Sequence, residues 1–199
     1  MTMKQKHAIL IIVFVVVFMA SLHYALADVD TFKASNGGIF IYVHNDIIKK
    51  DVTDMKYALL YSYSNPDHTA YIIIDSPGGD AIAGFMIYDL LKNHSHPVYT
   101  FVKESGIAAS AAAVIFMGGR QRYMNKNSRI MFHYAYKEID GKIIRHDDSP
   151  ITRYCDSKMK QVLKDNSKLS KSMIHTVLSL ELVFNMKDTI KLGIAKEFK

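Results

Sequence analysis

The 199-residue chain has one cysteine, Cys155. That excludes an intramolecular disulfide framework and a four-cysteine zinc site. No activating pattern surrounds it, so it reads as a packed thiol rather than a nucleophile. No internal repeat, low-complexity tract or Pro/Gly-rich linker interrupts residues 28 to 199, which reads as a single domain. Charge is not concentrated either. Twenty-five Lys+Arg against 19 Asp+Glu give a formal +6 spread along the chain, a solvated basic surface rather than a nucleic-acid footprint. Neither G-x-x-x-x-G-K-[ST] nor G-x-G-x-x-G occurs, so these two phosphate-cradling loops are excluded. With 49% hydrophobic and 22% charged residues, the chain is not a mostly disordered one.

The amino terminus differs from the rest. Lys4 and Lys6 precede an apolar run from Ala8 to Leu22, and Ala25-Leu26-Ala27 puts small residues at the two positions that govern cleavage. A basic start, a short apolar core and an A-x-A exit make a secretory signal peptide, with cleavage expected after Ala27. The run is about 15 residues, short of the ~20 that span a bilayer; an uncleaved anchor is the alternative. The expectation is an exported chain, periplasmic or membrane-anchored and facing outward, with residues 28–199 as the working domain.

Apolar runs and breakers give the order of elements. Gly38 to Val43 has strand character, and Val52 to Tyr63 has helical spacing that Asn65-Pro66 stops. Ala70 to Ile74 is a buried parallel strand by composition, broken by Pro77-Gly78-Gly79, with a helix over Ala81 to Leu91. Val98 to Val102 is a strand, Ala108 to Met117 a small-residue helix ended by Gly118-Gly119, and Arg129 to Tyr134 a strand. Asp140-Gly141 tips a small hairpin. Ser149 to Asp165 and Leu169 to Leu178 are amphipathic helices, and Asn185 caps a last helix that Gly193 closes. Alternating strands and helices predict an α/β fold with a mainly parallel sheet, whose sites form at the carboxyl ends of strands.

Three such ends carry chemistry. Asp75-Ser76-Pro77-Gly78-Gly79-Asp80 can present backbone N–H groups to an anion or a polarised carbonyl oxygen. Ser110, flanked by alanines at a helix start, has an accessible hydroxyl, and the helix terminus favours developing negative charge. His133 ends an apolar strand and has the proton affinity a serine needs in a base. Each alone has a plain structural reading: a tight turn, a close-packed helix, a satisfied polar residue. Their value lies in occurring together.

The motifs S-P-G-G-D-A-x-A-G-x-x-I-Y-D, G-I-A-A-S-A-A-A and N-S-R-I-M-F-H, in that order, resemble the Clp protease proteolytic subunit family, within the larger crotonase-like fold. The resemblance runs from about Ile39 to the carboxyl terminus. It implies a mainly parallel sheet with flanking helices and a protruding helical handle over Ser149 to Leu178, where subunits pair into a homo-oligomer. It also implies a serine endopeptidase with Ser110 as nucleophile and His133 as general base. Gly79 and Ala111 would donate oxyanion-hole N–H groups, and extended substrate would add as a strand beside Gly78 and Gly79. The third acid is where this sequence departs. Anchoring on Gly193 puts Glu181 at the family's aspartate, whereas anchoring on Phe184 would put Leu182 there; Glu181 is preferred because Asn185 then falls on the helix cap. Asp156, Asp147 and Asp148 are fallbacks.

The export signal, the missing nucleotide motif and the short segment from Asp28 to Gly37 argue against a Clp-type ATPase partner. Substrates would then be short or unfolded peptides. No cofactor is expected and no metal, since His94-x-His96 supplies only two ligands. Two other readings stay open. One is a serine–lysine protease like the signal-peptide peptidases, with Lys137, Lys142 or Lys158 as base. The other is an inactive binding or scaffolding protein on the same fold; acyl-CoA chemistry is a weaker third.

Overall fold

The computed structural model describes residues 29–33, 38–63, 69–145 and 147–198. The signal-peptide expectation for residues 1–27 lies outside them. Among the described residues, no helix is long and apolar enough to cross a membrane.

The elements follow in chain order. Strand β1 (Val29–Lys33), β2 (Ile39–Ile47), helix α1 (Lys49–Tyr63), β3 (Ala70–Gly79) and α2 (Ala81–Lys92) lead to β4 (Val98–Val102), β5 (Ile107–Ala109) and α3 (Ala111–Met117). Then come β6 (Gln121–Met124), β7 (Arg129–Met131), a hairpin of β8 (Tyr136–Ile139) and β9 (Lys142–Arg145), α4 (Pro150–Asn166), α5 (Lys171–Leu180), β10 (Val183–Asn185), α6 (Met186–Lys191) and β11 (Lys196–Glu197).

Nine strands form one sheet in which every pair is parallel except β1 with β2 and β7 with β10. The α/β expectation holds. The sheet forks at Asp75: the first half of β3 pairs with β4 from Ala70 to Ile74, and Ser76 then pairs with Ala108 of β5. The fork lets a second set of strands, β5, β7 and β10, diverge from the first and leaves room for a site between them.

Helix α3 is the core. All seven of its residues are buried, from Ala111 to Met117, and a helix apolar all round must be. Its alanines are required by proximity: a Cβ on Gly84 of α2 would stand 2.9 Å from the Ala111 Cβ. Phe116, Ile115 and Met117 fill the space against β3, and each such side chain contributes about 1.5–3 kcal/mol by leaving water.

Three expectations need correcting. The small-residue helix expected over Ala108 to Met117 begins at Ala111, because Ala108 and Ala109 belong to strand β5. Pro77-Gly78-Gly79 does not end the strand after Ile74, because β2 follows it, pairing Asp46 and Ile47 with Gly78 and Gly79 across a register shift between His44 and Asp46. Pro77 is tolerated because pairing on that side skips it. The strand at Arg129 stops at Met131, so His133 lies just beyond it. Strand β6 is also unforeseen, since its four residues include an inward arginine: Arg122 donates to the carbonyls of Ile194, Asn166, Gly119 and Gly193 at 2.6, 3.1, 3.3 and 3.3 Å. The hairpin at Asp140-Gly141 and the Asn185 cap, whose Oδ1 accepts from Asp188 N at 3.1 Å, stand as expected.

Candidate active site

Three loops meet at the fork, joined by hydrogen bonds that their sequences dictate. Asp75 accepts from Ile107 N at 3.2 Å, Gly106 O accepts from Arg129 N at 3.0 Å, and Met131 O accepts from Ser110 N at 2.9 Å. The buried Ser76 hydroxyl donates to Asn45 O at 2.5 Å and accepts from Gly78 N at 3.2 Å, fixing the glycine turn from within.

Ser110 occupies the step between β5 and α3 at φ 55°, ψ −122°. A side chain in that region costs on the order of 1–3 kcal/mol and persists only where its surroundings over-determine it. Here they do. The β5 and β7 strands hold both sides of the step, and Gly78 lies so close that a Cβ there would stand 2.6 Å from the Ser110 Cβ and 3.1 Å from Ala111 N. The glycine turn therefore abuts the serine and the N–H group that follows it.

His133 is buried, and its Nδ1 bonds Tyr134 O at 2.6 Å. A carbonyl only accepts, so Nδ1 carries the proton and Nε2 keeps its lone pair. Burial pushes the His133 pKa below its ordinary value, helped by the positive charge of Arg145; the Tyr134 carbonyl and Asp156 pull the other way. The imidazole is thus held neutral near pH 7. Its ring stacks on Tyr136, centroids 5.2 Å apart.

Ser110 and His133 line one small cavity, about 20 Å3, with Ala81, Phe85, Ala111, Val114, Ala135, Cys155 and Met159. Cys155 packs there as an ordinary buried thiol whose pKa burial raises. Nucleophile and base candidates from two distant motifs are thereby brought together.

Glu181 has another partner in this conformation. Strand β10 runs antiparallel to β7, and the ladder ends at Val183 opposite Met131, with Glu181 two residues before β10 begins and His133 two residues after β7 ends. Yet the Glu181 carboxylate is paired with Arg145 of β9, while His133 is anchored on a backbone carbonyl. The fallback acids are engaged elsewhere: Asp156 accepts from Ala135 N at 2.8 Å, Asp147 pairs with Lys137 at 2.8 Å, and Asp148 lies near Arg153. Among the described residues, no group of three or more His, Cys, Asp or Glu is arranged to hold a metal.

Tyr136 and Arg145 were missed by motif reading. A two-residue Asp-Gly turn fixes hairpin register, and it sets these two opposite each other; that signal was available. Phe85 and Met159 read only as core positions.

The family model of the Clp protease matches residues 29–198. The chain belongs to the Clp protease family. Among curated members it is 36% identical over 98 residues to the ATP-dependent Clp protease proteolytic subunit 2 of Treponema denticola, covering 47% of this chain and 48% of that one. It is 28% identical over 144 residues to proteolytic subunit 1 of Rhodopirellula baltica, covering 64% and 63%. The chain thus spans about half to nearly two thirds of these Clp relatives. Among solved structures, a ClpP1 mutant from Listeria monocytogenes superposes with a TM-score of 0.68 at 20% identity, covering 79% of this chain and 89% of that one. A mutant of the 1510-N membrane-bound stomatin-specific protease gives 0.66 at 19%, covering 78% and 76%. At those identities the likeness carries the fold, the ClpP-like one expected.

Proposed function

We propose that the chain is a serine endopeptidase that cleaves short or unfolded peptides by acyl transfer. Ser110 Oγ attacks the scissile carbonyl; His133 Nε2 takes its proton and returns it to the leaving amine. The N–H groups of Gly79 and Ala111 hold the oxyanion, and Glu181 supports the imidazolium that forms. One observation carries this reading: Ser110, at a strained positive φ on the first step of a buried helix, shares a cavity with a neutral, buried His133. A bound peptide would add as a strand beside Gly78 and Gly79.

A lysine base is less favoured. No lysine lines that cavity among the described residues. Lys137 is paired with Asp147, and Lys158 sits 3.1 Å from Asp89, whose hydrogen bond raises its pKa, the reverse of what an amine base requires.

Self-assembly belongs to the same reading. The β8–β9 hairpin is almost wholly exposed, and Ile139, Ile143 and Ile144 on it, with Ile151 and Tyr154 on α4, are large apolar side chains left to water. Isolated two-stranded hairpins are marginal, so this face gains from a second copy. Export after Ala27, a periplasmic or outward-facing location, and activity without a Clp-type ATPase complete the proposal.

The test is labelling of residues 28–199 with a fluorophosphonate probe beside Ser110→Ala and His133→Ala. Labelling lost in both supports the serine–histidine mechanism. Labelling that survives His133→Ala points to a lysine, and a folded protein that never labels favours the scaffold.

A further inference from the structure

Glu181, the acid just before β10, is paired with an arginine from the hairpin, and the same arginine reaches the ring that stacks on His133. Arg145 lies 5.9 Å over the Tyr136 ring as well as in its ion pair with Glu181. One guanidinium therefore ties the hairpin, the covering ring and the withheld carboxylate together. We propose that Arg145 is a positioning residue that draws Glu181 away from His133, so that seating or lifting of the β8–β9 hairpin sets whether the imidazole is supported by a carboxylate or only by the Tyr134 carbonyl. This rests on the reading of His133 as the general base.

The groups facing the imidazole are few. Tyr136 stacks on it, Arg145 lies 5.9 Å from the Tyr136 ring, Asp156 of α4 acts from beyond Ala135, Cys155 shares the cavity, and Glu181, held by Arg145, lies two residues before Val183, the partner of Met131. Of these, Glu181 is the carboxylate whose place is governed by Arg145. The pair is half-exposed, with side-chain exposures of 53% and 37%, so its own contribution to stability is small and it can open at little cost. Nothing else is needed for a switch: the carboxylate has two partners to choose from, and the exposed hairpin that carries Arg145 selects between them.

The two positions differ in what they do to His133. With Arg145 seated, a positive charge stands near the ring and its negative partner is withheld, so the imidazole holds a proton weakly. With Arg145 gone, Glu181 is free to accept from Nδ1–H, and the imidazolium formed during attack gains an adjacent negative charge.

The test is an NMR titration of the His133 imidazole, assigned with His133→Ala, in wild type, Arg145→Gln, Glu181→Gln and the double variant, alongside fluorophosphonate labelling rates. Arg145→Gln is expected to move the His133 titration upward and to speed labelling several-fold. In the Glu181→Gln background the same substitution should produce a clearly smaller upward shift and no gain in rate. Arg145→Lys, which keeps the ion pair, should stay near wild type. Equal shifts in both backgrounds would mean that Arg145 acts by its charge alone and would overturn the proposal, as would a titration that does not move. If the cycle behaves as expected in protein that never labels, the switch stands and the nucleophile assignment is what fails.

Discussion

Gly78 gives the sharpest test of how the site is built. An alanine there must accept φ +108°, and its Cβ would stand 2.6 Å from the Ser110 Cβ, 2.7 Å from Ala109 O and 3.1 Å from Ala111 N. Two of these three are backbone atoms in a stretch held between β5 and a buried helix, so neither can swing aside. An ordinary contact needs at least 3.4 Å, so the Ser110 Cβ would have to retreat about 0.8 Å. Backbone strain adds about 1–3 kcal/mol and overpacking about the same again. The sum, about 2–6 kcal/mol, is a large share of the 5–15 kcal/mol typical of a domain. For the molecules that do fold, a displacement near 1 Å at the nucleophile costs on the order of 100-fold in rate. Urea unfolding gives the stability, and fluorophosphonate labelling per folded molecule gives the rate. Gly193→Ala is the comparison: it shares a positive φ of +69°, but its neighbours are the side-chain carbons of Lys168, which can yield. It should lose about 1 kcal/mol and label normally. Gly78→Ala with a wild-type midpoint and rate would refute the claim that the glycine turn and the serine are in direct contact.

Four further outcomes follow from the geometry. Because burial lowers the His133 pKa, the base stays neutral below the ordinary histidine value, so labelling should hold through pH 6.5 and fall only at lower pH; a fall starting above 6.5 would contradict the buried imidazole. The same shift makes the unfolded chain bind the proton more tightly, so this contribution to stability is present above the unfolded pKa and is lost as pH falls through the folded one, which a urea series across pH checks. Met159→Ala should enlarge the 20 Å3 cavity, destabilise by about 2–5 kcal/mol, and shift peptide cleavage from small residues preceding the scissile bond toward leucine; wild-type protein already preferring leucine would contradict this. Arg122→Ala strips the donor from four carbonyls and should cost about 3 kcal/mol by urea unfolding without changing labelling per folded molecule.

What the sequence made legible is what is local. Ile72 and Ile74, Ala111 to Met117, and the cap at Asn185 announce themselves by composition and spacing, and the structure keeps them. Ser110 and His133 were readable because their chain neighbours are small or apolar: alanines flank Ser110, and His133 follows an apolar stretch. Strand β6 was not, because Arg122 is half-buried for the sake of carbonyls contributed by residues 44 to 72 positions away, apart from the nearby Gly119. The continuation of β3 through Pro77 depended on a register shift in a different strand.

The third acid shows where spacing along the chain stops being informative. Counting back from Gly193 selects Glu181, and the β10–β7 ladder brings its neighbourhood to the end of the strand that precedes His133. Neither says where the carboxylate points. Glu181 is the residue that follows and caps α5, in a left-handed conformation at φ 51°, with one more methylene than aspartate and so a longer reach. That reach serves Arg145 as readily as His133. An aspartate at this position, too short to meet Arg145 and hold Glu181's present pairing, would have one partner fewer to choose from. Glu181→Asp therefore separates the two roles: it should weaken the hairpin latch, and whatever change in labelling it brings should match Arg145→Gln in sign. A loss of labelling in Glu181→Asp beside a gain in Arg145→Gln would mean that the longer side chain is needed at His133 itself and that its pairing with Arg145 is incidental.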